Sequence, residues 1–362
     1  MSLTAFVKNN LTEQVFNHVA EHYNGASVTV TGGASFIGSS LVDVLIDMGA
    51  YVTVVDDFSS GKRSFVQDHA NLTLRECDLR YLDLAEKVIG KSKTVFHLAA
   101  IHGGRGFIET QHKAMLANFA IDNNVFSCAV KNEVGIIVHA SSACAYPINL
   151  QASELELNQL REDMASMEDS EKSFPDGVYG WTKLGGEYQL QNSIEKSSTK
   201  GRSARIFTAY GERENESHAA IALAAKALLH ADPYPIWGSG EQTRNFTYVG
   251  DTVTGLLLLG SDAGEKGFDV FNIGTADHIR VIDFVKEIFD QIDWNPKVLD
   301  LQIDKPVGVA SRASDNTKLL KTFGWAPTTS ITEGIQRTLA WYKELPDRPR
   351  TLEQLERLLM AR

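Results

Sequence analysis

The stretch Val28-Thr-Val-Thr-Gly-Gly-Ala-Ser-Phe-Ile-Gly38 decides the fold. A β-branched run, Val28 to Thr31, leads into small residues. Ile37, Leu41, Val42, Leu45 and Ile46 then follow at helical spacing. The pattern predicts a strand, a tight turn and a helix. In that arrangement a pyrophosphate can approach the backbone and rest on the amides of a helix N-terminus. Gly32, Ser35, Phe36, Ile37 and Gly38 are therefore the expected cofactor contacts, with Ser35 standing where a middle glycine would be expected.

Downstream, Tyr51-Val-Thr-Val-Val-Asp56 reads as a buried strand ending in an acid, 18 residues beyond Gly38. An acid at that place accepts the adenosine ribose hydroxyls and repels a 2′-phosphate, which favours NAD over NADP. Further strands are expected at 72–76, 94–98, 135–140 and 204–208, alternating with helices. Such alternation implies an α/β fold, a Rossmann-type doubly wound parallel sheet with a smaller C-terminal α/β substrate domain. Asp78, after the third strand, has two readings: an adenine contact, or a strand-end cap, which the spacing favours. Leu98, Ala99 and Ala100 end the fourth strand with residues small enough for a cofactor to pass. His102-Gly103-Gly104-Arg105-Gly106 then reads as a flexible, partly cationic loop at the edge where ligands bind in such sheets. Asn118, on the next helix, is a polar face residue by itself and a candidate cofactor contact in this setting.

The bulk numbers narrow the field. A net charge of −11 over 362 residues argues against nucleic-acid binding, so an anionic ligand has to be held by a few placed arginines. Cys77, Cys128 and Cys144 are widely spaced and no His/Cys cluster has metal-ligand spacing, which points to no metal and a reducing compartment. No basic-then-apolar leader and no run approaching the ~18 apolar residues of a membrane span is seen, so a cytoplasmic protein without a membrane partner is expected. Residues 1–24 carry Leu11, Val15, Phe16, Val19 and Ala20 at helical spacing, with Thr12 as N-cap, and read as a helix appended to the nucleotide domain. The acidic, aperiodic stretch 150–177 reads as an insertion crossing the surface, a lid or a solvated charge run.

The residues that carry chemistry follow the fifth strand. Ser141-Ser-Ala-Cys-Ala-Tyr-Pro147 comes first, and Tyr179-Gly-Trp-Thr-Lys183 opens a helical pattern some thirty residues later. Tyr179 and Lys183 share one helix face at i and i+4. A tyrosine with a pKa of ~10 is a poor base at neutral pH. The neighbouring ammonium and a cationic nicotinamide are expected to draw it down.

With these motifs the chain resembles the extended short-chain dehydrogenase/reductases of the nucleotide-sugar epimerase and dehydratase group, over roughly 25–345. Trp237-Gly-Ser-Gly-Glu-Gln-Thr-Arg244, Phe271-Asn-Ile-Gly274 and Arg312-Ala-Ser-Asp315 extend the likeness. The resemblance implies that Arg244 and Arg312 clamp a substrate diphosphate, which suits guanidinium chemistry. It implies NAD as cofactor, a nucleotide-diphosphate sugar as substrate, and a homodimer through helices near 107–130 and 178–197. Within the group, Ser-Ser-Ala-Cys-x-Tyr-Pro and the Gly103–Gly104 loop are similar to the GDP-mannose 3,5-epimerases. There Cys144 would be one half of an acid/base pair, where by itself it could be a small buried hydrophobe, and His218 aligns with the other half, a lysine in that subfamily, or bonds the sugar or phosphate. Thr208 and Arg105 depart from the pattern, so they and Gly103, Gly104 and Ser142 are read as substrate contacts whose sugar is open.

The expected domains are 1–24, a helical extension; 25–205, NAD-binding; and 206–350, substrate-binding, with parts of 247–278 returning to the first. The expected chemistry is oxidation at C4 assisted by Tyr179, Ser142 and Lys183, then proton exchange at C3, C5 or both by Cys144 and His218 on opposite faces of the ring. A 4-epimerase would need only the Ser/Tyr/Lys set. A dehydratase would need an acid that expels a hydroxyl, and Ala143-Cys144 replaces the usual Asp-Glu pair. From another class, a catalytically silent nucleotide-binding regulator has no need of Ser142, Tyr179 and Lys183 together.

Overall fold

The computed structural model describes residues 2–261, 264 and 267–345; the segment 346–350 of the expected substrate domain lies outside the described residues. Seven parallel strands form the central sheet: β1 (Ser27–Thr31), β2 (Tyr51–Asp56), β3 (Leu72–Glu76), β4 (Thr94–His97), β5 (Ile136–Ser142), β6 (Lys200–Ile206) and β7 (Phe268–Ile273). Their order across the sheet is β7-β6-β5-β4-β1-β2-β3. The winding reverses between β1 and β4. In an open α/β sheet the crevice at such a reversal, outside the strands' carboxyl ends, is where ligands bind.

The strands form because both of their faces are covered. Through the sheet's first half run α1 (Leu3–Asn10), α2 (Glu13–Tyr23), α3 (Phe36–Asp47), α4 (Leu82–Val88), α5 (Arg105–Thr110), α6 (His112–Met115), α7 (Asn118–Lys131) and α8 (Gly177–Ser193). After β6 come α9 (Ala219–Leu228), α10 (Val249–Ser261), α11 (Val281–Ile292), α12 (Thr317–Phe323) and α13 (Ile331–Lys343). One core packs α1, α2, α3 and α10 against the sheet and continues into the C-terminal part; a second packs α4, α7 and α8 against the other face. Thus β7 and α10, although late in the chain, belong to the sheet's own layers. Short strand pairs build the C-terminal part: Tyr234–Trp237 beside Leu299–Gln302, and Thr243–Arg244 beside Ile279–Arg280. Phe246 and Phe284 stack there with centroids 4.0 Å apart.

Four local expectations change. The N-terminal extension is two helices rather than one. Ser2 caps α1 and Thr12, as expected, caps α2 by accepting from Val15 N. Both helices bury apolar side chains in the main core, and Tyr23 Oη donates to the Leu257 carbonyl at 2.9 Å. The loop at 102–106 is helical from Arg105 onward, and the helix expected over 107–130 breaks into α5, α6 and α7 around Gln111. The acidic stretch 150–177 is tied down. Gln159–Leu160 pairs with Ala313–Ser314, and Glu162 accepts from Asn272 N. Arg205 donates to the Glu162 and Ala165 carbonyls while forming a two-pronged buried pair with Glu187, at 2.9 and 2.7 Å. Removing one partner of such a pair costs about 3–5 kcal/mol.

A polar chain crosses the middle of the sheet. Thr31 Oγ1 lies 2.7 Å from His97 Nδ1, His97 Nε2 lies 3.0 Å from Asp122 Oδ1, and His139 Nδ1 lies 3.0 Å from Ser203 Oγ. All are buried. Burial pulls His139 down to about 3, Asp122 opposing it. Below its ordinary pKa of about 6.5 the unfolded chain binds a proton at residue 139 that the folded chain refuses, so stability present above that pH is lost as pH falls. His139→Gln should flatten the fall of unfolding free energy below about pH 5.5 by about 1.4 kcal/mol per pH unit. Urea titrations at several pH values measure this slope, and an unchanged slope would remove His139 from the account.

Candidate active site

A cavity of about 420 Å³ opens at the carboxyl ends of β1, β4, β5 and β6, roofed by the C-terminal part. A smaller one, about 50 Å³, adjoins it toward β2 and β3. Ser35, Leu98 and Ala100 line both, so the two form one groove across the winding reversal.

The groove's floor is the glycine turn. Gly32 has φ +69°, and a Cβ on Gly38 would stand 2.1 Å from the Gly32 carbonyl oxygen. Only a turn without these side chains closes this tightly. Phe36 and Ile37 open α3 and line the large cavity, so the helix N-terminus faces the groove. The Ser35 hydroxyl folds back and donates to the Gly32 carbonyl at 2.6 Å. The missing middle glycine is thereby accommodated inside the turn. Gly32, Asp56, Asp78 and Ala99 line the smaller cavity. Each Asp56 oxygen accepts a backbone N–H, from Ala34 and Phe58, both at 2.9 Å. Asp78 is braced by the Arg80 guanidinium and accepts from Arg80 N; it is an Asx turn, and the N-cap of α4 is Tyr81. Asn118 lies outside both cavities. Its amide both donates to and accepts from Ile101's backbone, at 3.0 and 2.6 Å, fixing the loop after β4 from behind. The turn, the acid after β2 and the small residues after β4 fit a dinucleotide.

At the other end stand Ser142, Cys144, Tyr179 and Lys183. β5 alternates its serines: Ser141 donates to buried Glu187, while Ser142 Oγ accepts from Cys144 N at 3.1 Å and keeps its own proton to donate. Lys183 Nζ donates to the Ala140 carbonyl at 2.8 Å and sits 5.7 Å from the Tyr179 ring centre. The expectation joins Lys183 to a cationic nicotinamide, and the protein groups alone do not draw the tyrosine down. Burial pushes the Tyr179 phenol well above its ordinary value, with Cys144 and Asp122 adding to it, and burial lowers Lys183. Desolvation outweighs an ammonium whose proton is directed at a carbonyl.

Of the four arginines that line the cavity, three stand close to one another: Arg105, Arg244 and Arg312. Arg244 donates to the carbonyls of Thr243 and Val307, and its pKa is pulled down to about 9, first by burial and then by Arg312 and Arg105. Arg312 donates to Gln151 Oε1 at 2.6 Å, to Cys144 Sγ at 3.4 Å and to Asp176 Oδ2 at 3.0 Å. Arg105 donates to both oxygens of Asp176 and to Glu109. Two of the three guanidinium groups, those of Arg105 and Arg312, thus share the buried Asp176 carboxylate, while Arg244 is held by backbone carbonyls.

His218 precedes α9 and lines the same cavity, as do Thr208, Gly103 and Gly104. Its Nδ1 lies 3.4 Å from the carboxylate of buried Glu214, whose pKa burial raises and His218 lowers. The His102 ring lies beside it, centroids 5.6 Å apart. A Cβ on Gly104 would stand 1.9 Å from the Ser217 carbonyl oxygen, so the glycine loop and the residue before His218 touch.

Asp176, Gln151 and Glu214 were missed by reading the sequence. Asp176 and Gln151 meet Arg312 across 136 and 161 residues of chain, which no local pattern reports. Glu214 had a local signal, its i,i+4 spacing to His218. Among the described residues no His/Cys/Asp/Glu group could hold a metal ion, no helix is long and apolar enough to cross a membrane, and the three cysteines are free.

A doubly wound sheet with this turn, an acid after its second strand, and serine, tyrosine and lysine beside one groove defines a short-chain dehydrogenase-type enzyme. Over residues 28–274 the chain matches the NAD dependent epimerase/dehydratase family; it belongs to that family, and NAD is its cofactor. GDP-mannose 3,5-epimerase 1 of Oryza sativa subsp. indica is 31% identical over 332 residues, 90% of this chain and 83% of its own. An epimerase of Methanothermobacter thermautotrophicus matches the fold with a TM-score of 0.80 at 24% identity, over 95% of this chain and 98% of its own. A UDP-glucose 4-epimerase of Thermotoga maritima, solved with UDP-glucose, gives 0.74 at 26% identity, over 88% and 99%.

Gly104→Ala should leave NAD affinity within about twofold (~0.4 kcal/mol), because the glycine turn lies elsewhere. Sugar-nucleotide turnover should fall at least about tenfold, since Ser217 and His218 must move. Calorimetry with NAD and a turnover assay test the pair; unchanged turnover would separate the glycine loop from His218.

Proposed function

We propose that the chain is an NAD-dependent nucleotide-sugar epimerase. It would act through a transient 4-ketone and invert C3, C5 or both of a GDP-hexose or another nucleoside-diphosphate hexose. The observation that carries this reading is one cavity lined by two proton-transfer candidates, Cys144 and His218, besides Ser142, Tyr179 and Lys183. A simple 4-epimerase needs only the last three. The likeness to a GDP-mannose 3,5-epimerase supports the same reading.

The chemistry that NAD supplies when bound is reversible hydride acceptance, which makes a carbinol carbon of the sugar a ketone for part of the cycle. The chain's own residues do the rest. Tyr179, as the phenolate that a cationic nicotinamide beside it would favour, takes the proton of the 4-hydroxyl, and Ser142 donates a hydrogen bond to the same oxygen. Lys183 supplies positive charge behind them. A ketone acidifies the hydrogens on its neighbouring carbons, so a thiol or an imidazole suffices to exchange them. Cys144 works from one face of the ring and His218, its Nδ1 turned to Glu214, from the other through Nε2; one removes the ring proton and the other delivers one to the opposite face, which inverts the carbon. The arginine cluster recruits the diphosphate. Positive charge left over in a buried site is relieved by an anionic ligand, and Arg244 and Arg312 offer the planar N–H groups that phosphate oxygens take.

Incubation of GDP-, UDP-, dTDP- and CDP-hexoses in deuterated water, read by NMR, tests the reaction. One of them should take up solvent deuterium at C3 or C5. Cys144→Ala and His218→Gln should each lower that uptake at least about hundredfold, the size of one general acid–base contribution. Tyr179→Phe should stop turnover while sugar-nucleotide affinity stays within a few-fold. Turnover without any ring label in the wild type would make the reaction a C4 epimerisation.

A further inference from the structure

Asp176 belongs to none of the motifs, yet it is tied to Cys144 at both ends. Its backbone N–H donates to the Cys144 carbonyl at 2.9 Å. Its carboxylate, buried, takes Arg312 Nη2 at 3.0 Å, and the other terminal nitrogen of the same guanidinium donates to Cys144 Sγ at 3.4 Å. Gln151, 1% exposed and itself bonded to the carbonyls of Tyr146 and Pro147, holds Arg312 Nε and fixes the plane of the fork. The same carboxylate is claimed by a second cation. Arg105 Nη1 reaches both oxygens, at 3.2 and 3.0 Å. Gly308 leaves room for it, since a Cβ there would stand 2.8 Å from the Arg105 guanidinium. One negative charge is therefore divided between two guanidinium groups, and only one of those touches the sulfur.

We infer that Asp176 is a positioning residue for Cys144. By dividing its carboxylate between Arg105 and Arg312 it holds Arg312 on the sulfur and sets how much of that positive charge the sulfur meets. The inference rests on the reading of Cys144 as a proton-transfer group. When the thiol gives up its proton, negative charge grows on the sulfur, and the uncompensated part of the guanidinium charge stabilises it. When the proton returns, that stabilisation must not be so large that the thiolate is retained. A carboxylate shared with Arg105 sets an intermediate value, and Arg105 becomes part of the same balance. The charged and titratable groups facing Cys144 are Arg105, Asp176, Tyr179, Lys183, Arg244 and Arg312. Of these, Asp176 is the one carboxylate.

The test reads the thiol directly. The full chain is alkylated with iodoacetamide at a series of pH values, and modification at Cys144 is followed by peptide mass spectrometry, with Cys77 and Cys128 as internal controls. Asp176→Asn keeps the shape and removes the charge, so the Cys144 profile should move to lower pH by about one unit, a tenfold change in the proton equilibrium. Arg105→Gln returns the whole carboxylate to Arg312 and should move it to higher pH. The double substitution should bring the profile back toward the wild type, and Asp176→Glu should stay near it. A merely structural Asp176 would change the rate of alkylation without moving its pH midpoint. Superimposable profiles for wild type and a folded Asp176→Asn protein overturn the inference. Should that variant not fold, an unmoved profile in Arg105→Gln overturns it instead. The predicted shifts in the variants, beside a wild type that puts no solvent label into the sugar ring, would support the hold on Cys144 while removing the reading of inversion at C3 or C5.

Discussion

The carbonyl of Cys144 meets the first turn of α8 at a separation that only glycine allows. A Cβ on Gly180 would stand 2.2 Å from that oxygen, and the same oxygen accepts the Asp176 N–H at 2.9 Å. This contact joins the turn after β5 to the start of the helix that carries Tyr179 and Lys183. Everything the cavity can do with a sugar depends on it. It sets the serine and the cysteine, on one segment, against the tyrosine and the lysine on another. It also brings Asp176 within reach of Arg312. A side chain at residue 180 would push the two segments apart, and none of the four groups would keep its neighbours.

Charge is distributed against the average. The chain carries a net −11, yet its cavity holds three arginines around one buried aspartate. Buried charge is tolerated when it is paired and hydrogen-bonded, and each of these groups is tied to protein oxygens or sulfur. Under the proposed function, that positive charge is what admits an anionic diphosphate to an acidic protein. The groove at the winding reversal supplies backbone amides and a helix N-terminus beside the Asp56 and Asp78 carboxylates.

Much of this was legible in the chain itself, because the features concerned are local. The glycine turn, the acid after β2, the Tyr/Lys pair and the alternation of strands and helices are patterns within a few dozen residues, and the structure has them where they were expected. β2 and β3 have the expected bounds, whereas the ends of β1, β4, β5 and β6 differ by one to four residues, as hydrogen-bond registers rather than side-chain patterns set them. The partners of the charged groups were not legible. Arg312 was visible as a phosphate-binding candidate, but its contacts with Cys144, Gln151 and Asp176 join residues more than 130 positions apart. The partner of Asn118 was likewise not legible: its side-chain amide is engaged with the backbone of Ile101. The proton affinity of Tyr179 also escaped a reading by neighbours alone, because desolvation is a property of the folded cavity.

The measurement that bears most directly on this account is solvent-deuterium uptake into the sugar ring by Gly180→Ala. The variant keeps every charged and reactive side chain and changes only the contact with the Cys144 carbonyl. With a far-UV circular dichroism spectrum like that of the wild type, uptake should fall at least about tenfold, since misplaced groups of this kind lose that much or more. Uptake at the wild-type rate would show that the close packing of α8 on the β5 turn does not set the site.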